Sequence, residues 1–79
     1  MIQSNSRFDS IAEAVRYIVD TMPIGYKFHG NDLKRFVVKL KPDAEFCHVD
    51  SCLRPLRKWC KHKVVNIGAK HLSHYMRVA

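Results

Sequence analysis

The most constraining feature of this sequence is the spacing of its apolar residues, which recur every three or four positions in three separate stretches. This spacing places apolar side chains on one side of an α-helix. A helix with one apolar side needs a neighbour to cover it. The sequence therefore predicts three amphipathic helices, with apolar stripes of Ile11, Ala14, Val15, Ile18 and Met22, then Leu33, Phe36, Val37 and Leu40, then Val49, Leu53, Leu56 and Cys60.

The start of the first helix carries a capping signal. Ser10 followed by Glu13 is the spacing of a capping box, in which the hydroxyl accepts from a first-turn amide and the carboxylate reaches back. This predicts helix 1 at about residues 9–22. A start at Ser6, with Asp9 at the capping position, fits the same pattern.

The next stretch reads as a short strand followed by a second helix. Residues 26–29 alternate and predict a strand. Asn31 is a suitable N-cap and predicts helix 2 at about residues 31–41, which Pro42 ends. In the turn that follows, Phe46 is expected to point into the core.

The third helix is predicted at about residues 49–61, and a hairpin follows it. Pro55 removes one backbone hydrogen bond and kinks this helix if the helix starts near residue 49. If the helix starts at Ser51, Pro55 lies in the first turn at a lower cost. Residues 63–67 and 73–78 are two short β-type runs separated by a glycine-containing loop, which predicts a β-hairpin.

Length and residue usage indicate one small domain. A chain of 79 residues is expected to form a single domain over residues 1–79, with residues 1–7 flexible. No apolar run approaches the roughly 18 residues of a membrane span, and the first residues lack the apolar segment of a signal peptide. Three cysteines are an odd number, which favours reduced thiols and a cytoplasmic location.

Positive charge is concentrated in the second part of the chain. Fourteen basic and seven acidic residues give a net charge of +7. Residues 1–32 hold three basic and four acidic residues, whereas residues 33–79 hold eleven basic and three acidic residues. A positive field on one side of a small protein suits a polyanionic partner.

Helix 3 separates its apolar and basic side chains. Projected at 100° per residue from Leu53, Arg54, Lys58 and Lys61 lie at about +80° to +140°, and Ser51 lies at about +160°. The apolar stripe lies between about 0° and −60°. A helix with a buried back and long donors in front fits the DNA major groove. The alternative is that this basic face is only solvated.

The order helix, strand, helix, turn, helix, hairpin carries a resemblance to a known fold. Residues 28–33 (Phe-His-Gly-Asn-Asp-Leu) look like a strand leading into helix 2. Residues 49–58 look like a recognition helix, and residues 75–78 look like a returning wing strand. Together they resemble the winged helix-turn-helix superfamily over about residues 8–78.

This resemblance implies an α+β fold of three helices and a small antiparallel sheet, in the order H1-β1-H2-H3-β2-β3. It implies sequence-specific binding of double-stranded DNA by a small transcription regulator or recombination accessory factor of phage or mobile-element type. Helix 3 would read the groove, helix 2 would touch the backbone and the hairpin loop would be the wing. The implied DNA-binding residues are Ser51, Arg54, Lys58, Lys61, Lys34, Arg35, Lys70 and His71. The alternative is a winged helix that serves as a protein-interaction module, as a homodimer or as a subunit of a larger complex.

Metal and catalytic chemistry have weaker support. Cys47 and Cys52 form only a loose C-x4-C pair, and Cys52 and Cys60 are about 12 Å apart along one helix, too far to share a metal. His71 and His74 could be a metal pair, but a solvated histidine in the hairpin loop is favoured. No paired carboxylates or phosphate-binding loop are present, so no enzyme activity, metal or cofactor is expected.

Trp59 and Cys52 lie on one flank of helix 3. Packing against helix 1 or the hairpin is the expected role of this flank. The alternative is an exposed patch that binds a partner or a second copy.

Overall fold

Three helices and three short strands make up the fold. The computed structural model describes residues 8–68 and 74–79. Residues 1–7 and the loop residues Lys70 and His71 lie outside this described part. The elements are α1 (Ile11–Thr21), β1 (Lys27–His29), α2 (Gly30–Leu40), a 3-10 turn (Pro42–Ala44), α3 (Asp50–Trp59), β2 (Val64–Asn66) and β3 (His74–Arg77). The predicted α+β class, with three helices and a small antiparallel sheet, is confirmed.

The sheet brings the strand before α2 next to the end of the chain. Its order is β1-β3-β2, and both pairings are antiparallel. The central strand, β3, places Tyr75 opposite Phe28 on one side and Asn66 on the other. The hairpin of β2 and β3 is therefore confirmed, with shorter strands than the sequence predicts.

The core lies where the three helices meet the inner side of the sheet. Leu33, Val37 and Leu56 are fully buried, and Phe28 and Tyr75 stack in it with ring centroids 5.7 Å apart. Each predicted stripe contributes to this core, although its outer members are only half-buried. Those half-buried members are Ile11, Phe36, Leu40 and Val49.

Both ends of α1 are secured by side chains. Ser10 Oγ accepts a hydrogen bond from the Glu13 amide (3.2 Å), and the Glu13 carboxylate accepts one from the Asp9 amide (3.1 Å). The helix thus starts after Ser10, and Asp9 lies outside it. At the other end, Arg77 donates to the carbonyls of Val19 and Met22 (3.0 Å to Met22), which ties β3 to α1.

Two predictions about α2 and the turn after it are wrong. The N-cap of α2 is His29, whose amide donates to Asp32 Oδ2 (3.0 Å), and Asn31 lies in the first turn. The Phe46 side chain is 92% exposed instead of buried, and Ala44 is buried in its place. The reason is the 3-10 turn at Pro42–Ala44, which directs Ala44 toward the core.

Pro55 lies in the interior of α3, because the helix begins at Asp50. Of the two alternatives, the one in which Pro55 removes a backbone hydrogen bond therefore holds. The helix still continues to Trp59, and the Cys60 amide donates to the Leu56 carbonyl (3.0 Å). None of the described helices has both the length and the apolar character needed to cross a membrane.

Candidate nucleic-acid interface

Helix α3 has a buried back and a basic front. Leu53, Leu56 and Cys60 are buried against the rest of the domain. Arg54 and Lys58 are exposed on the other side. The sequence places these residues correctly on the helix, because burial of the apolar stripe fixes which side faces solvent.

Of the other two residues predicted for this face, Ser51 is half-buried in the first turn and Lys61 is exposed just after the helix ends.

The cations of this face have no carboxylate partner among the described residues, whereas other lysines in the protein form ion pairs. Lys63 binds Asp20 at 2.6 Å, and Lys41 binds Asp43 at 2.8 Å. These partners hold the pKa of both aspartates below the usual range, mainly through the hydrogen bond from each lysine. In the described part of the chain, no carboxylate pairs with the four cations of this region, namely Arg54, Arg57, Lys58 and Lys61.

Arg57 is a further cation of this surface that the sequence analysis does not predict. It is exposed and lines a shallow groove with Lys61 between α3 and the hairpin. Its projected angle of about +40° lies between the apolar stripe and the basic face, so helical projection alone assigns it to neither. Val64, Asn66 and Tyr75 form the hairpin side of the groove. The position of the hairpin therefore adds Arg57 to the basic surface.

The two predicted residues of α2 differ in their surroundings. Lys34 is half-buried. Its positive charge lowers the pKa of the Cys52 thiol, against the larger effect of burial, so Lys34 lies near the first turn of α3. Arg35 is exposed and forms an ion pair with Asp32. Such an exposed pair contributes only about 0–1 kcal/mol, so a phosphate could compete for Arg35.

The hairpin ends in a well-defined stem at the predicted wing. The Ile67 amide donates to the His74 carbonyl (2.7 Å), and the Gly68 amide donates to Asn66 Oδ1 (2.9 Å). The predicted wing residues Lys70 and His71 lie outside the described residues, between these two fixed ends.

Trp59 and Cys52 do not share one environment, although they lie on the same flank of α3. Cys52 is fully buried, whereas the Trp59 side chain is 53% exposed. The Arg16 guanidinium of α1 lies 5.5 Å from the centre of the Trp59 ring, and the Lys58 ammonium lies 5.2 Å from it. Trp59 is therefore only partly covered by α1, and the alternative that this flank binds a partner or a second copy stays a prediction.

No protein-family model, curated protein or solved structure matches this chain.

The cysteines are free thiols in a structural setting. Burial raises the pKa of Cys52 to about 12, with a further contribution from the neighbouring Cys47, and burial also raises the pKa of Cys60. Both thiols therefore stay protonated near neutral pH and are poor nucleophiles. Within the described residues, no three or more side chains of His, Cys, Asp or Glu come together around a common point that could hold a metal ion.

Proposed function

We propose that this protein is a winged helix that binds double-stranded DNA sequence-specifically, with α3 in the major groove. In this proposal it acts as a small transcription regulator or recombination accessory factor and has no catalytic role. The order of helices and strands and the three-stranded antiparallel sheet are compatible with a winged helix.

The observation that carries the proposal is the division of α3 into two sides. Its apolar side anchors it to the core through Leu53 and Leu56, so the helix is held rigidly. Its other side presents Arg54 and Lys58 without carboxylate partners in the described part of the chain. Arginine and lysine are the donors that bind guanine edges and phosphates in the major groove.

The hairpin supports a second area of contact beside α3. Arg57 and Lys61 lie where α3 meets the hairpin, so the basic surface extends toward the strands. In a winged helix, the loop between β2 and β3 would then place Lys70 and His71 against the adjacent backbone. Contacts of this kind add affinity and orientation, while the residues of α3 supply sequence preference.

A second candidate function is a protein-interaction module, which the exposed Trp59 favours. Tryptophan and arginine are enriched among the residues that dominate binding energy at protein interfaces, and Arg16 lies beside the Trp59 ring. The Lys58 ammonium lies 5.2 Å from the centre of the Trp59 ring, so these two residues do not separate the surfaces. Arg54 projects about 140° away from Trp59 around the axis of α3, so substitutions at Arg54 and at Trp59 test the two surfaces separately.

A salt titration of binding to random-sequence duplex DNA tests the proposal. A protein that contacts DNA phosphates should lose affinity steeply with salt, with a slope of about −0.9 for each phosphate neutralised. Selection from a random DNA pool should then enrich a motif. Undetectable binding at low salt, or affinity that does not change with salt, would exclude DNA as the partner and favour the protein-interaction alternative.

For the wing, we expect Lys70→Ala to weaken DNA binding to a similar degree on all sequences and to reduce the salt slope by about one unit. Lys27→Ala removes the same charge from an exposed position on β1 and serves as the control, with an unchanged slope expected. Equal slopes for wild type and Lys70→Ala would exclude a phosphate contact by the wing while leaving the role of α3 intact.

His71 should make binding depend on pH, because a protonated imidazole attracts phosphate. We expect tighter DNA binding at about pH 6 than at about pH 8. His71→Ala should remove part of this dependence, which fluorescence anisotropy can measure. A pH response of undiminished size in His71→Ala would assign it to other histidines.

A further inference from the structure

Two histidines from distant parts of the sequence lie face to face on the sheet. His29 at the end of β1 is the register partner of His74 at the start of β3. Their ring centroids are 4.2 Å apart, and the ring planes differ by 20°. His29 is exposed and His74 is partly exposed, so solvent and ions can reach the pair.

The backbone hydrogen bonds show what kind of cross-strand pair this is. The Arg77 amide donates to the Tyr26 carbonyl (2.9 Å) on the β1 side of β3. The backbone carbonyl of His74 instead accepts from the Ile67 amide (2.7 Å), on the β2 side. Because hydrogen bonding alternates along an antiparallel strand, His29 and His74 form a non-hydrogen-bonded pair. In such a pair the Cα atoms are only about 4.5 Å apart, which brings the side chains closest together.

We propose that His29 and His74 form a chelating site for a divalent late first-row transition-metal ion. Imidazole nitrogens bind such ions at about 2.0–2.1 Å, so two of them on one ion lie roughly 3–3.4 Å apart in a cis arrangement. With ring centroids 4.2 Å apart, the two rings are near enough for one nitrogen of each to reach this separation. Rotation about the Cβ–Cγ bonds, which is a soft torsion in histidine, brings one nitrogen of each ring to the ion.

The neighbouring charges are compatible with a cation. The Asp32 carboxylate accepts a hydrogen bond from the His29 amide, so a negative group lies beside the two histidines. The same carboxylate also forms an ion pair with Arg35. Lys27 and Met76 form the next pair but one along the two strands, on the same side of the sheet as the histidines. Lys27 is exposed, so its charge is well solvated.

Imidazole ligands select the metal. Affinity should rise from Mn²⁺ through Co²⁺ to Ni²⁺, and Mg²⁺ and Ca²⁺, which prefer oxygen ligands, should not bind. Two protein ligands leave coordination positions open for water, so a readily exchanging ion is expected. Metal binding at this pair does not require that the protein bind DNA.

Titration calorimetry of the full chain with Ni²⁺ alone tests the site. Wild type should bind one ion at this site, and His29→Ala and His74→Ala should each weaken that binding by at least about tenfold, because the second ligand acts at high effective concentration. The double variant should be little worse than either single one. His48→Ala and His62→Ala, which remove exposed histidines elsewhere, are the matched controls and should bind like wild type.

A second readout separates chelation from loss of folding. Since β1 and β3 hold the two ligands together only in the folded state, Ni²⁺ at about a hundred times Kd should raise the Tm of wild type by about 10 °C or more. Without metal, His74→Ala should melt close to wild type and His29→Ala somewhat lower, because His29 is the N-cap of α2. Relative to its own metal-free Tm, each single variant should show little shift with Ni²⁺. Equal Tm shifts in wild type and His29→Ala, or loss of binding in His71→Ala with His29→Ala unaffected, would overturn the proposal.

Discussion

Replacing Leu56 with alanine is expected to lower the free energy of unfolding by about 2–5 kcal/mol. Leu56 is 0% exposed at the centre of α3, among core residues from all three helices and the sheet. The substitution removes buried apolar surface and leaves a cavity that the surrounding side chains fill only partly. Small domains have a total stability of about 5–15 kcal/mol, so a large part of the folded population is at risk. Urea or thermal melts followed by circular dichroism measure the change.

A pair of isoleucines provides a matched control for this prediction. Ile18→Ala should behave like Leu56→Ala, because Ile18 is 6% exposed in the middle of α1. Ile24→Ala makes the same chemical change at a position that is 70% exposed, and its effect should stay within about 0.5 kcal/mol. Wild-type melts for Leu56→Ala and Ile18→Ala would contradict the assignment of the core.

Arg54→Ala and Lys58→Ala are each expected to weaken binding to the selected DNA motif by about 1–3 kcal/mol. Both side chains are exposed, and in the described part of the chain neither forms an ion pair that its loss would disturb. The melting temperature should therefore stay close to that of wild type. Fluorescence anisotropy at one fixed salt concentration measures the affinities, since DNA affinities at different salt concentrations are not comparable.

Specific contacts can be told apart from general attraction by two comparisons. Lys27→Ala removes one positive charge from β1 and should change affinity much less than Lys58→Ala. Arg54→Ala should lose more affinity for the selected motif than for random DNA, because a base contact carries sequence information and a phosphate contact does not. Wild-type binding by both Arg54→Ala and Lys58→Ala would show that α3 does not read DNA.

The helices were predictable because their signals are local. The spacing of apolar residues predicts all three helices. The Ser10 hydroxyl oxygen accepts a hydrogen bond from the Glu13 amide, as the capping pattern predicts. The sequence predicts the start of α2 slightly too late, because the N-cap is His29 and the pattern indicates Asn31. Capping depends on which backbone amide reaches which side chain, and neighbouring polar residues in a short turn offer several choices.

The basic side of α3 was also predictable, for the same reason. Once the apolar stripe faces the core, Arg54 and Lys58 must face outward. Arg57 was not predictable, because its place on the basic surface depends on where the hairpin packs. Trp59 shows the same limit: its flank of the helix could be identified from the sequence, but its exposure depends on how far α1 covers it.

The order of helices and strands, the direction of each apolar stripe and the excess of positive charge in residues 33–79 can all be derived from the amino-acid sequence alone. These properties follow from residue type and from the periods of the helix and the strand, which depend only on residues that are close together in the sequence. The burial of Ala44 in place of Phe46, and the contact between His74 and His29, are seen only once the chain is folded. Both depend on contacts between distant segments, where the register of a strand or the path of a turn selects which side chains meet.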